Sequence, residues 1–446
     1  MEESKSFLEK LPDNVKRLVL HYCSENFKDV QSLRQTCRTF KNIIDATHEV
    51  WTGPISALHL AARYDNVDMA LNCIYRGFQL EQKILTRIGF PMQLLYHGTA
   101  LHVAAYYSSN EVLRVLLEAG ADKDAESTFY GSVIQMTIEV GNEDGFSLLM
   151  AAKAELKGAL TTCARVGNTQ AAERILKEYE MDGDELNSSH RESPLFVACQ
   201  NGFYYLAKVL MEKGAPPVTA GPTSIFGTRE TPLTAACENG HVSIANLLME
   251  AGASPDPPAP TYAIAARNPA EMTWRLKNSS PLFLAFRKED LEMFHLLLKR
   301  GAKFNLAPYA PQFHRGMLHG ILNEMSFFTK PHKGVGMIWL ALQAGGFDIN
   351  ARDPEGDTAL HTLAKILCDR RYQHSYYYHF NNVLDMLLQH GADKTLKNAQ
   401  GKTPFDILFS SGGPYAKGAS EGELLKYNLN ITGLIDFLKV VYPKLL

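Results

Sequence analysis

A short phrase recurs along this 446-residue chain, and its recurrence limits the possible fold more than any other feature. Each copy begins with Ser or Thr, continues with Pro or Ala and usually Leu, and then holds small or apolar residues. The copies are SALHLAA from Ser56, TALHVAA from Thr99, SPLFVAC from Ser193, TPLTAAC from Thr231, SPLFLAF from Ser280, TALHTLA from Thr358 and TPFDILF from Thr403. Such recurrence predicts an array of similar small units rather than one large core.

A second, leucine-rich phrase ending in Gly and a small residue follows several of these copies. It occurs as VLLEAGAD at Val115, VLMEKGAP at Val209, LLMEAGAS at Leu247, LLLKRGAK at Leu296 and MLLQHGAD at Met386. Ser or Thr before Pro or Ala caps a first helix, and the glycine ends a second helix in the left-handed conformation. Because one helix pair cannot bury its apolar face alone, we expect the pairs to stack into a solenoid.

On these paired phrases the chain resembles the ankyrin-repeat family, whose signature T-P-L-H-x-A recurs about every 33 residues. The resemblance implies an all-α fold of irregular helix-turn-helix units with inserted loops, over an ankyrin-repeat domain at residues 53–446. We place ten units near 56–85, 98–127, 131–157, 158–187, 191–220, 229–258, 278–307, 315–350, 356–397 and 401–446. One insert, EQKILTRIGFPMQLLYHG, follows the first unit.

The first 52 residues carry a different pattern, one of short amphipathic helices. It runs Leu11-Pro12, then aliphatic residues at helical spacing, Asp29-Val30-x-x-Leu33, Cys37-Arg38-x-Phe40 and finally Trp51. In order and spacing, residues 9–51 resemble an F-box, with Phe40 where tryptophan is usual and Thr36 where an aliphatic residue is usual. Residues 1–52 are therefore expected to form an F-box-like domain of three helices.

F-box membership implies a module that docks on the Skp-family adaptor of a cullin ubiquitin ligase. The resemblance assigns to this contact, or to the core of the module, Leu11, Pro12, Val15, Leu18, Val30, Leu33 and Phe40. An interface of this kind depends on a few apolar anchors in a groove. The alternative is that residues 9–51 only cap the solenoid, since an end unit needs its apolar face covered.

Composition and charge argue against several other classes of function. A net charge of −3 gives no global field that favours nucleic acid or anionic membrane. No apolar run is long enough to span a bilayer, and the first residues do not form a secretion signal. Seven cysteines without a C-x-x-C pair indicate a reducing compartment. We expect a soluble, cytoplasmic protein that binds no nucleic acid and inserts into no membrane.

No group of residues points to an active site, so we expect neither enzymatic activity nor a cofactor nor a metal. The histidines of the recurring phrase are expected to make structural hydrogen bonds between units; they are His59, His102, His319 and His361. Three cysteines are expected to be buried as compact apolar groups; they are Cys163, Cys199 and Cys237.

The target of an ankyrin array is expected on the concave side, at hairpin tips and first helices. Residues just before the capping phrases are the candidate tips: Tyr96, Tyr130, Arg191, Arg229, Asn278, Arg352 and Asn398. A second candidate is the insert CDRRYQHSYYYHF, because Tyr and Arg are enriched in binding hot spots; its candidates are Tyr376, Tyr377 and Tyr378. The alternative for this insert is a loop whose tyrosines pack on neighbouring helices.

Together these features predict a substrate receptor, in which the F-box docks the Skp adaptor and the ankyrin array binds an unidentified target protein. Irregular repeats after an F-box also resemble effectors of intracellular bacteria, and such an effector would act in the host cell cytosol. The competing hypothesis is an ankyrin scaffold that binds a partner without recruiting a ubiquitin ligase. A third is an enzyme hidden in the inserts.

Overall fold

The computed structural model describes residues 57–88, 94–128, 130–178, 193–218, 231–256, 280–303, 317–325, 331–368 and 377–410. These residues form 19 helices and four short strands. The chain divides into two compact bodies, an N-terminal body, Met1–Glu180, and a C-terminal body, Met181–Leu446. The F-box-like segment lies outside the described residues, as do Arg191, Arg229, Asn278 and Tyr376.

Successive helix pairs build the described part of the N-terminal body. They are α1 (Ala57–Arg63) with α2 (Val67–Tyr75), α3 (Ala100–Tyr106) with α4 (Asn110–Glu118), α5 (Val133–Val140) with α6 (Glu143–Ala151), and α7 (Ala159–Val166) with α8 (Thr169–Glu178). The first helices pack side by side, α1 on α3, α3 on α5 and α5 on α7. The second helices α2, α4 and α6 also pack in order, which gives two layers.

The C-terminal body repeats this arrangement. Its helices are α9 (Pro194–Asn201), α10 (Tyr204–Glu212), α11 (Pro232–Glu238), α12 (Val242–Glu250), α13 (Pro281–Arg287), α14 (Leu291–Lys299), α15 (Met317–Met325), α16 (Pro331–Ala344), α17 (Ala359–Cys368), α18 (Tyr377–Gln389) and α19 (Pro404–Ser410). First helices pack as α9 on α11, α11 on α13, α15 on α17 and α17 on α19, and the second helices from α10 to α18 pack in chain order.

The two phrases begin and end helices as predicted. At α11, Thr231 Oγ1 accepts a hydrogen bond from the backbone N–H of Thr234 at 3.2 Å, and Pro232 fills the first helical position. The glycine of the second phrase ends the second helix with a positive φ, 87° at Gly120 and 96° at Gly252. Glycine adopts this left-handed conformation without a Cβ clash, which explains its place in the phrase.

The prediction of an all-α fold is confirmed for the main architecture, with two antiparallel strand pairs added in the connections. β1 (Ile84–Ile88) pairs with β2 (Leu94–Gly98), and β3 (Glu126–Ser127) pairs with β4 (Gly131–Ser132). The first pair lies in the insert after the first unit, which we expected to be a loop. Its Ile, Thr and Tyr residues favour the extended conformation. Within the described ranges, no helix is long and apolar enough to cross a membrane.

The apolar core of each body lies between its two helix layers. Leu101 on α3 and Leu113 on α4 are buried in the N-terminal body, and the rings of Phe286 and Phe294 lie 6.4 Å apart in the C-terminal body. The alanines of the recurring phrase, such as Ala104, are also fully buried. Small residues at these positions allow neighbouring first helices to approach closely, which brings the C-terminal ends of those helices together.

Candidate protein-binding surface

The tip residues near the ninth unit have unequal access to a partner. Asn398 is 7% exposed, and its Nδ2 donates to Asp357 Oδ1 at 2.9 Å. Its Oδ1 accepts hydrogen bonds from the backbone of Gln400 and Lys402 at 3.0 and 3.1 Å. The Asn398 side chain is therefore buried and used in hydrogen bonds within the fold, so it offers little to a partner. Arg352 is exposed, and its guanidinium donates to the Lys397 carbonyl oxygen at 3.0 Å.

The aromatic insert differs from the predicted loop. Tyr377 and Tyr378 are the first residues of α18, which packs against α16 and α17. Apolar residues at helical spacing follow them, and Val383, Met386 and Leu387 are buried. The second helix thus begins inside the insert, at Tyr377, where the sequence predicted a loop.

Histidines of the recurring phrase connect neighbouring helix pairs, as predicted. His102 Nδ1 lies 2.9 Å from Thr99 Oγ1, and its Nε2 lies 3.3 Å from the Gly131 carbonyl oxygen. His361 repeats the pattern, with Nδ1 accepting from Thr358 N at 3.1 Å and Nε2 lying 3.0 Å from the Lys402 carbonyl oxygen. A carbonyl oxygen only accepts, so we assign the hydrogen to Nε2 in both rings.

The other two histidines of the phrase make the same kind of link. His59 Nε2 lies 3.1 Å from the Gly98 carbonyl oxygen, and His319 Nε2 lies 3.0 Å from the Asp357 carbonyl oxygen. Burial lowers the pKa of His59 and of His102 to about 4, because the charged imidazolium loses its hydration. These two rings are therefore neutral near pH 7 and act as structural hydrogen-bonding groups.

Gln135 makes an equivalent link that was not predicted from the sequence. It occupies the third position of α5, as His102 does in α3. Its Oε1 accepts from Ser132 N at 2.9 Å, and its Nε2 donates to the Lys157 carbonyl oxygen at 2.9 Å. An amide can replace the imidazole here because both groups offer one acceptor and one donor.

The cysteines of the first helices are buried, as predicted, and not poised for catalysis. Cys163, Cys199 and Cys237 are fully buried, and burial raises the pKa of the Cys163 and Cys199 thiols to about 12. Burial raises the pKa of Cys237 as well. A protonated thiol is a poor nucleophile and a poor metal ligand. In the part of the chain that the structure describes, no group of three or more His, Cys, Asp or Glu residues could hold a metal.

An aromatic cluster lies at the C-terminal ends of α1 and α3. We call it the tyrosine cluster; its members are Arg63, Tyr64, Tyr106, Tyr107 and Tyr130, all of them half-buried. The guanidinium carbon of Arg63 lies 5.5 Å from the Tyr64 ring centroid and 5.4 Å from the Tyr107 ring centroid. The Tyr106 ring meets Tyr107 edge-on at 5.0 Å and lies 6.4 Å from the Tyr130 ring.

Packing of the first helices explains why these side chains meet. Arg63-Tyr64 and Tyr106-Tyr107 each follow the buried alanine pair of a recurring phrase. Because α1 and α3 pack through those alanines, the residues that follow lie next to each other at the surface. Burial raises the pKa of Tyr106 and Tyr107, so both hydroxyl groups keep their hydrogens and remain donors. Of the cluster, only Tyr130 was predicted from the sequence. The residues that directly follow each recurring phrase are the sequence signal for the others.

Comparison with known families supports the repeat assignment. A family model described as "Ankyrin repeats (3 copies)" matches residues 10–127 and 218–307. The first matched range begins inside the F-box-like segment. A curated relative, the transient receptor potential cation channel subfamily A member 1 homolog of Caenorhabditis elegans, is 27% identical over 123 residues. The match covers 26% of this chain and 10% of the channel homolog, so the chain spans about a tenth of that protein's length.

Among solved structures, the ankyrin repeat domain of Bcl-3, a unique member of the IkappaB protein family, is similar to this chain. The match has 22% sequence identity and a TM-score of 0.41, and it covers 60% of this chain and 96% of that domain. The family match extends into both bodies, and both contain the paired helices, the capping phrases and the linking histidines. Over those two ranges the chain matches the ankyrin-repeat family model, and the paired helices of both bodies have the ankyrin-repeat fold.

Proposed function

We propose that this chain is the target-binding subunit of a Skp–cullin–F-box ubiquitin ligase. Ankyrin repeats form a scaffold that binds other proteins and are not themselves catalytic. Residues 9–51 would dock the Skp-family adaptor, the repeats would hold the target, and the cullin would bring the ubiquitin-transfer machinery. The site of action would be the cytosol, that of a host cell if the chain is a secreted bacterial effector.

The adaptor half of the proposal depends on the order of residues in the first segment. A Leu11-Pro12 start followed by Cys37-Arg38-x-Phe40 is explained by an F-box and is not needed by a simple cap. In a helix-in-groove interface, a central apolar anchor typically contributes about 2 kcal/mol or more. Leu11 and Pro12 are the first side chains to test, because they define the start of the resemblance.

The target half of the proposal depends on the tyrosine cluster, the single observation that carries it. Tyrosine and arginine are enriched in binding hot spots, since they supply large contact area together with hydrogen-bond donors. The rings support one another within the cluster, so little side-chain freedom is left to lose on binding. In the N-terminal body Tyr96 remains a further candidate contact. The C-terminal body has candidates of its own: Arg191, Arg229, Asn278, Arg352, Tyr376, Tyr377 and Tyr378.

The decisive experiment separates the two halves of the proposal. The full chain with Leu11→Ala and Pro12→Ala is incubated with a eukaryotic lysate and probed for the Skp adaptor and cullin. We expect both to be lost, whereas the matched variant with Tyr106→Ser and Tyr107→Ser should retain them. Adaptor binding that is unchanged by the first variant, at equal melting temperature, would sink the ligase assignment.

A second candidate function is an ankyrin scaffold without a ligase. The observation that favours it is an exposed apolar pair on α2, where Leu71 is 49% and Tyr75 is 92% exposed. A cap formed by residues 9–51 would cover such a face, and the family match that begins at residue 10 fits the same idea. Deleting residues 1–51 distinguishes the candidates: a docking module leaves the melting temperature nearly unchanged, whereas loss of a cap lowers it markedly and promotes aggregation.

A further inference from the structure

Three arginines occupy the same position, the seventh residue of a first helix: Arg63 on α1, Arg165 on α7 and Arg287 on α13. Arg165 pairs with Glu139 at 2.9 Å, and Arg287 lies 3.7 Å from Glu238. In both pairs the glutamate is the seventh residue of the preceding first helix. An arginine at this position therefore reaches towards a neighbouring first helix and forms an ion pair when that helix presents a carboxylate.

Arg63 has the same position but no carboxylate to pair with among the described residues. In the two pairs the carboxylate comes from the preceding first helix, and no described first helix precedes α1. The first helix that follows has Tyr106 at the seventh position, which is aromatic. Asp65 is near in sequence, but its Oδ1 accepts the backbone N–H of Val112 at 3.0 Å on α4. The Arg63 guanidinium instead lies against the rings of Tyr64 and Tyr107, at 5.5 and 5.4 Å.

These ring contacts prepare the guanidinium for a ligand. They restrict its position without using its N–H groups, which donate to no other described residue and are available to a ligand. A fixed fork of donors matches a carboxylate, which it binds through two parallel charge-assisted hydrogen bonds. The protonated hydroxyl groups of Tyr106 and Tyr107 add donors nearby, so the tyrosine cluster is rich in donors and carries one cation.

We propose that Arg63 receives the carboxylate of an aspartate or glutamate on the target, with an apolar target residue lying on the neighbouring tyrosine rings. The occupant is thus an acidic, partly apolar protein segment; the inference rests on the proposed target-binding function and names the chemistry of its ligand. A phosphorylated segment fits less well, because phosphate recognition uses clusters of basic side chains and the cluster contains one. Arg63 is the anchor, and the rings provide the contact area.

A random dodecapeptide library displayed on phage, selected on the purified full chain, tests the proposal. We expect enriched peptides to share an Asp or Glu beside an apolar residue. One enriched peptide is then synthesised and titrated against the wild type, Arg63→Ala and Arg63→Lys. Arg63→Ala should weaken binding about tenfold or more, the cost of losing a charge-assisted hydrogen-bond pair. Arg63→Lys should weaken it nearly as much, because a point charge cannot make the bidentate contact.

Matched controls show whether the effect belongs to Arg63. Arg165→Ala changes the same helix position where the arginine is already paired, and it should leave peptide affinity unchanged. Replacing the peptide's Asp or Glu by Asn or Gln should weaken binding to the wild type but not further weaken binding to Arg63→Ala. The proposal is overturned if no peptide is enriched, if enriched peptides lack acidic residues, or if Arg63→Ala binds with wild-type affinity.

The outcome is separable from the ligase assignment. Arg63→Ala should retain the Skp adaptor from a lysate, and the variant with Leu11→Ala and Pro12→Ala should retain the selected peptide. Melting temperatures of all variants are compared with that of the wild type. If Arg63→Ala does not fold, the peptide affinity of Arg63→Lys is used instead. If the wild type captures no adaptor but still binds the selected peptide, the docking role of the first segment is refuted and the Arg63 contact is left intact.

Discussion

The side-chain amide of Gln135 donates a hydrogen bond to the Lys157 carbonyl oxygen at 2.9 Å. It does on α5 what the imidazole of His102 does on α3, where Nε2 lies 3.3 Å from the Gly131 carbonyl oxygen. Both side chains also accept from the capping residue of their own helix. In these two units the third position of the first helix thus links one helix pair to the next, and two different chemical groups make the link.

His102→Gln should therefore be tolerated, whereas His102→Ala should not. Glutamine can keep both hydrogen bonds, so we expect a loss below about 1 kcal/mol in the free energy of unfolding. Alanine removes the buried partner of the Thr99 amide and one of the donors to the Gly131 carbonyl, which keeps the Ser127 hydroxyl, and it opens a cavity. Together these losses should cost about 2–4 kcal/mol. Urea denaturation of both variants measures the difference; equal losses would contradict the assigned link.

The buried imidazoles also predict a loss of stability in mild acid. The pKa of His59 and of His102 is 6.5 in a solvated chain and about 4 in the fold, because burial disfavours the charged ring. As pH falls from 6.5 towards 4, the unfolded chain takes up protons that the folded chain refuses, so the free energy of unfolding decreases. Lowering the pKa from 6.5 to about 4 corresponds to a loss of roughly 3 kcal/mol per histidine in the free energy of unfolding, once the pH has fallen below both values.

Denaturation midpoints measured from pH 7.5 down to 4.5 check this sign. The variant with His59→Gln and His102→Gln serves as the control, since neither glutamine titrates and its pH dependence should be distinctly flatter over the same range. A wild-type chain whose stability rises on acidification, or a double variant with the same slope as wild type, would contradict the assignment of this effect to the two rings.

The recurring phrases predicted the elements whose cause is local. Thr231 and Pro232 start a helix, and Gly120 and Gly252 each end one. These effects are predictable because helix capping and left-handed backbone geometry act within one turn. The role of His102 was predictable from its place in the phrase. Gln135 was not, since the phrase around it is lost while the helix geometry remains.

The tyrosine cluster could not be predicted from spacing alone, because it depends on how closely two helices approach. Arg63 and Tyr107 are far apart in sequence and meet only when α1 packs on α3 through small residues. Similarly, the start of α18 at Tyr377 depends on packing against α16 and α17, which the composition of the insert does not reveal.

Lys153 occupies the glycine position of the second phrase after α6, with a φ of 57°, where Gly120 and Gly252 have φ of 87° and 96°. A side chain in this left-handed region costs about 1–2 kcal/mol, and glycine recovers most of it despite its larger freedom in the unfolded chain. Lys153→Gly should therefore stabilise the chain by about 0.5–1 kcal/mol, seen as a higher melting temperature. Ala152→Gly, one residue earlier with a φ of −73°, is the matched control and should destabilise. A lower melting temperature for Lys153→Gly would show that the lysine side chain contributes more than its backbone strain costs.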